Sequence, residues 1–138
     1  MTTYILVAGN NQTNLQLLKS AFASCDVEIV RAPGLSLALF LAKKNRPVLI
    51  ISDLVLLDGD GVTFLQELKA NKDMNAIPFM FLLPEKPKEP MKKNLLKNGA
   101  VAVLSNAIKP EELLVLLERF VQPAADLLSS TREDETTE

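Results

Sequence analysis

The sequence contains no histidine, and Cys25 is its only cysteine. Without an imidazole there is no Ser-His or Cys-His pair to make a nucleophile and no histidine to carry a phosphoryl group. A single thiol leaves neither an intrachain disulfide nor a zinc-binding cysteine set. No apolar run approaches the roughly 20 residues that a membrane-spanning helix needs. Met1-Thr2-Thr3 leads into an apolar stretch without the basic and apolar regions of a signal peptide, so a cytosolic protein is expected. Glycine is sparse as well. Gly9-Asn10-Asn11-Gln12 lacks the G-x-G-x-x-G spacing that cradles a dinucleotide pyrophosphate, which argues against a flavin or dinucleotide enzyme. A formal net charge of −2 gives no electrostatic reason to expect nucleic acid or an anionic membrane as partner.

What is present suffices for one domain: 138 residues, 48% of them hydrophobic, can enclose a full core. The stretch that organises it is Pro47-Val48-Leu49-Ile50-Ile51-Ser52-Asp53, an apolar run that ends on a carboxylate. Such a run fits a central strand buried on both faces. In an open α/β sheet a residue at the carboxyl end of that strand points into the ligand crevice, although an Asp there serves equally well as a turn residue. Asp60-Gly61 before Val62-Thr63-Phe64-Leu65 reads as a turn and helix cap. Asp58-Gly59-Asp60-Gly61 lacks the remaining ligands of a calcium loop.

The rest of the chain alternates in the same way. Tyr4 to Ala8 is a strand, and Thr13-Asn14-Leu15-Gln16 matches a Thr-x-x-Gln capping box opening a helix that carries Leu15, Leu18 and Phe22. Val27 to Arg31 alternates like an edge strand, a second helix runs from about Leu35 to Lys44, and a third follows Gly61. Ile77 to Leu83 supplies a fourth strand. Pro84, Pro87 and Pro90 then make a stiff connection into a fourth helix that ends at Asn98-Gly99. Val101 to Leu104 is the fifth strand. Pro110-Glu111-Glu112 opens a fifth helix whose Leu113, Leu114, Leu116, Leu117 and Phe120 are expected in one broad buried arc. Residues 1–122 therefore form the domain, and residues 123–138 are expected to be an acidic, mobile tail or linker. The fold class is α/β: a flavodoxin-like, doubly wound, five-stranded parallel sheet of order 2-1-3-4-5 with helices on both faces. Its switch point brings Gly9, Asn10 and Asp53 into one crevice.

From residue 3 to residue 121 the chain resembles the receiver domain of two-component response regulators. The resemblance rests on Ile5-Leu6-Val7, Asn14 to Leu18, Ala38-Leu39, Pro47 to Asp53, Asp60-Gly61, Ile77-Pro78, Gly99-Ala100 and Glu111-Glu112-Leu113 in that order and spacing. It implies a phosphorelay module, not an enzyme, with Asp53 in the phosphoacceptor position and a histidine kinase or output protein as partner. The family's other site residues are replaced. Gly9 and Asn10 stand where an acid pair helps hold Mg²⁺, Leu83 where a hydroxyl stands, Asn106 where a lysine stands and Val103 where an aromatic switch residue stands. Lys109-Pro110 imitates the family's Lys-Pro three residues late. Asp53 alone should hold Mg²⁺ weakly at best, and a phosphoryl group there would lack compensating charge. A pseudo-receiver acting through protein contacts is expected, with a phosphate-accepting receiver of atypical metal site as the alternative. On the second helix Leu35, Ala38, Leu39 and Ala42 suffice to cover the sheet. Leu37, Phe40 and Leu41 are expected to form a solvent-facing cluster that docks a partner or a second copy of the chain.

Overall fold

A computed structural model describes residues 3–121. Its elements run β1 (Tyr4–Ala8), α1 (Gln12–Ala21), β2 (Glu28–Ala32), α2 (Leu35–Lys44), β3 (Leu49–Ser52), β4 (Val55–Leu56), β5 (Gly59–Asp60) and α3 (Gly61–Lys69). They continue with β6 (Phe79–Leu83), α4 (Glu89–Lys97), β7 (Ala102–Ser105) and α5 (Pro110–Val121). The large sheet is parallel, in the order β2-β1-β3-β6-β7. Counting only its five strands, this is the order 2-1-3-4-5 expected from the alternation of elements. The proposed tail from residue 123 lies outside the described residues.

Side chains alternate across each strand, so the sheet builds two cores. Leu6, Ala8, Ile50, Phe79, Phe81 and Val103 point to one side, where Ala38 and Ala42 of α2, Phe64, Leu65 and Leu68 of α3 and Leu95 of α4 cover them. Ile5, Val7, Leu49, Ile51, Met80 and Leu82 point to the other, against Leu18 and Ala21 of α1, the adjoining Phe22, and Leu113 and Leu117 of α5. The central strands β1, β3 and β6 are buried along their whole length, which is why they read as unbroken apolar runs. β2, on the edge, is half-exposed.

Three local expectations change. The first helix is capped by Asn11 rather than Thr13: the Asn11 side chain accepts from the Asn14 backbone N–H at 3.1 Å. The helix thus starts two residues earlier than the capping box implies, at Gln12 rather than Asn14, and the Asn14 side chain is buried. The loop after β3 is not a simple turn but a short antiparallel hairpin, β4–β5, too brief to show periodicity. On α5, Leu116 is 47% exposed; the buried stripe is Leu113 and Leu117, with Leu114 and Phe120 at its edge.

Candidate functional site

The crevice opens at the carboxyl ends of β1, β3, β6 and β7. Ala8 lies beside Ser52 in the β1–β3 register, and the Asp53 N–H donates to the Ala8 carbonyl at 2.9 Å, so Asp53 leaves β3 directly beside Gly9. Two glycines make room for it. Gly9 has φ +129°, and a Cβ built there would overlap the Asp53 carboxylate; a Cβ at Gly61 would overlap the Asp53 carbonyl oxygen and come 2.7 Å from Phe81. Both positions need glycine for space, and Gly9 needs it also for its backbone conformation.

Asp53 is half-buried and its carboxylate is committed to N–H donors. Asn14 Nδ2 donates to Asp53 Oδ1 at 2.7 Å and to the Leu82 carbonyl at 2.8 Å. The backbone N–H groups of Asn10 and Asn11 add to the stabilisation of the charged form. Burial works against these donors and is the larger effect: it raises the Asp53 carboxyl above its ordinary value, while Asn14 and the two backbone groups lower it. Asn14 is in turn held from its other side, its Oδ1 accepting from Asn106 Nδ2 at 2.8 Å. The Asn106 backbone N–H donates to the Leu83 carbonyl at 2.7 Å, which ties the end of β7 to β6.

The crevice therefore gathers Gly9, Asn10, Asp53, the end of β6 at Leu83, and Asn106. Asn10 is exposed, its Oδ1 accepting from the Arg31 guanidinium at 3.1 Å. Leu83 is buried and, with Leu54, Pro84, Pro87 and Met91, walls a groove of about 350 Å³. Val103 is buried in β7 beside Phe81 and takes no part in the crevice. The two further acids of the loop face elsewhere. Asp58 accepts from the backbone N–H groups of Leu35 and Ser36 at the start of α2, and Asp60 accepts from Thr63 at the start of α3. The Ser36 side chain, with the Leu35 and Ser36 backbone N–H groups, holds the Asp58 carboxyl below its ordinary value, and the Thr63 backbone N–H and side chain do the same for Asp60. Among the described residues no group of three His, Cys, Asp or Glu side chains is placed to hold a metal ion.

Asn14 is the site residue that sequence reasoning missed. Its position in a Thr-x-x-Gln pattern suggested a helix cap, and an Asn in a first turn gives no sign of burial. With Ser52, it is a buried polar side chain among the described residues. The α2 cluster comes apart in the structure. Leu37 and Phe40 are exposed, at 44% and 58%, but Leu41 is half-buried and packs against the core, so it is not part of one fully exposed cluster with them. The backbone carbonyl of Leu41 also accepts from the Tyr4 hydroxyl at 3.0 Å, which keeps this turn of α2 close to β1.

The family model described as the response regulator receiver domain matches residues 5–118. The KDP operon transcriptional regulatory protein KdpE of Escherichia coli is 31% identical over 111 residues, covering 80% of this chain and 48% of KdpE. The chain thus spans about half the length of that relative. Among solved structures, the chemotaxis response regulator CheY4 of Vibrio cholerae superposes with a TM-score of 0.73 at 25% identity, covering 87% of this chain and 99% of CheY4. The receiver domain of sensor histidine kinase PA1611 from Pseudomonas aeruginosa, with a magnesium ion coordinated in its active site cleft, superposes with a TM-score of 0.73 at 21% identity and covers 88% of this chain and 98% of that one. The chain belongs to the response regulator receiver domain family.

Proposed function

We propose that this receiver is phosphorylation-impaired and signals through protein–protein contacts, with Asp53 serving as a hydrogen-bond acceptor rather than a phosphoacceptor. One observation carries the reading: the Asp53 carboxylate is bonded by Asn14, faced by the backbone N–H groups of Asn10 and Asn11, and fills the space that a side chain at Gly9 would need. Mg²⁺ is a small, hard ion that retains waters and needs carboxylate oxygens in octahedral array. Gly9 offers no side chain, the Asn10 amide oxygen is engaged by Arg31, and Asp58 and Asp60 are spent on helix caps. The donor set does not fit a magnesium shell. The PA1611 receiver domain holds such an ion; among the described residues of this crevice only Asp53 offers a carboxylate.

Phosphoryl transfer draws most of its acceleration from positive charge at the transferring group. Here Asn106 stands where the resemblance places a lysine, and its amide is directed at Asn14. Leu83 offers no hydroxyl to a phosphoryl oxygen. The partners of such a module are a histidine kinase or an output protein, and a homodimer is the simplest alternative assembly. The exposed Leu37 and Phe40 of α2 are its candidate contact residues.

The experiment is a Mg²⁺ titration of the ¹⁵N-labelled chain. The expected result is no saturable shift of the Asp53 and Asn10 amides below millimolar Mg²⁺. Saturation at micromolar Mg²⁺ would favour the second reading, a phosphate-accepting receiver with an atypical metal site.

A further inference from the structure

We propose that Asn14 and Asn106 form a two-amide relay that carries the hydrogen-bonding state of Asp53 to the surface groove beside α1. The proposal deepens the reading of Asp53 as a hydrogen-bond acceptor and rests on it. Its basis is the direction of the bonds. The ionised Asp53 carboxylate and the Leu82 carbonyl are acceptors only, and both lie on one end of the Asn14 side chain, at 2.7 and 2.8 Å. That end must be the NH₂ group. The Asn14 carbonyl oxygen then faces Asn106, so Asn106 must turn its own NH₂ inward to donate to it at 2.8 Å. The orientation of one amide dictates the other, and both are anchored jointly by Asp53 and the Leu82 carbonyl.

Nothing in the burial of Asn14 allows a casual reversal. It is 1% exposed, and both of its N–H donors and its acceptor are engaged. Turning it over would set a carbonyl against the carboxylate and an NH₂ against an NH₂, leaving buried groups unpaired. Asn106, at the other end, reaches the surface. With Gln12, Thr13, Gln16, Leu17 and Ser20 it lines a groove of about 430 Å³. The groove walls carry no formal charge, so the polarity of the Asn106 amide is a substantial part of what they offer. With its NH₂ committed inward, Asn106 leaves its Oδ1 for the groove, which suits a hydrogen-bond donor. When Asp53 ceases to accept, Asn14 keeps its orientation through the Leu82 carbonyl but loses one of its two anchors, so Asn106 donates to a more loosely held partner.

The test follows the Asn106 side-chain NH₂ resonances in the full ¹⁵N-labelled chain. Asp53→Ala should shift or broaden them, although the substituted residue lies beyond Asn14. In an Asn14→Ala background the same Asp53→Ala change should leave them unmoved. Should Asn14→Ala not fold, Asn14→Ser serves as the second background, and the single Asp53→Ala comparison stands by itself. Asn106 resonances that ignore Asp53→Ala while Asn14 is present would overturn the relay. So would resonances that respond to Asp53→Ala equally with and without the Asn14 amide. Transfer of the phosphoryl group of acetyl phosphate to Asp53, with acetate leaving, would instead overturn the reading of Asp53 while leaving these amide couplings as measured.

Discussion

At the scale of single residues, Asp53 and Asn14 set the behaviour of the crevice. Because burial outweighs the donors around it, the native Asp53 carboxyl binds its proton more tightly than in the unfolded chain, where its ordinary value is 3.8. A group with a raised native value stabilises the fold below 3.8, and that contribution is lost as pH rises from 3.8 through the native value. Asp58 and Asp60 act in the opposite sense. Their lowered values give stability above 3.8 that is lost as pH falls through their native values. Thermal melts across this range should therefore show that Asp53→Asn removes the decline on the high side of 3.8 and leaves the acid-side decline in place; an unchanged high side would contradict the assignment. Asn14→Leu deprives Asp53, the Leu82 carbonyl and Asn106 of a buried partner at once, and should destabilise the chain by about 1–3 kcal/mol in urea unfolding. Restoring an acid before Asp53 is not a simple reversal either. Gly9→Asp places a side chain at φ +129° and into the Asp53 carboxylate. It should cost about 1–3 kcal/mol of stability without producing tight Mg²⁺ binding in the titration described above. Of these residues Asp53 and Gly9 were legible in the sequence, because a strand end and a following glycine mark the switch point. Asn14 was not, since the direction of its side chain depends on whether the helix starts at residue 12 or 14.

At the scale of elements, the reading succeeded where one periodicity dominated and failed where two competed. α2 runs from Leu35 to Lys44 as its spacing suggested, and β6 ends at Leu83 before the proline-punctuated connection. Pro90 sits in the first turn of α4, where a missing N–H is harmless. The outer faces of α2 and α5 were harder, because apolar residues occupy most of both helices and spacing alone cannot say where the buried arc stops. Leu41 proved to be at the margin of the core, and Leu116 outside it. This separation makes the α2 surface testable. Leu37→Glu and Phe40→Glu should leave the unfolding free energy within about 0.5 kcal/mol of the parent, as surface changes do, while reducing self-association or partner affinity. Leu41→Lys should instead lower stability by about 1 kcal/mol, through lost apolar burial. If Leu37→Glu and Phe40→Glu together leave oligomeric state and partner affinity unchanged, α2 is not the contact surface.

At the scale of the whole molecule, the receiver architecture is intact, and the proposed change of chemistry is confined to the strand ends. The sheet order follows from five buried or half-buried runs separated by helical segments, with right-handed crossovers leaving few arrangements. That much was visible in hydrophobic pattern. The state of the crevice was only half visible: the residue types at Gly9, Asn10, Leu83 and Asn106 could be read against the resemblance, but not that an amide network links Asp53, Asn14 and Asn106. No described helix is long and apolar enough to cross a membrane. The central claim is that Asp53 is held as a hydrogen-bond acceptor and does not take a phosphoryl group. Its most direct test is incubation of the full chain with Mg²⁺ and excess acetyl phosphate, followed by intact-mass spectrometry and peptide mapping. The account predicts unmodified protein at times when an active receiver prepared alongside is phosphorylated. A stoichiometric phosphoryl adduct mapped to Asp53 would contradict it.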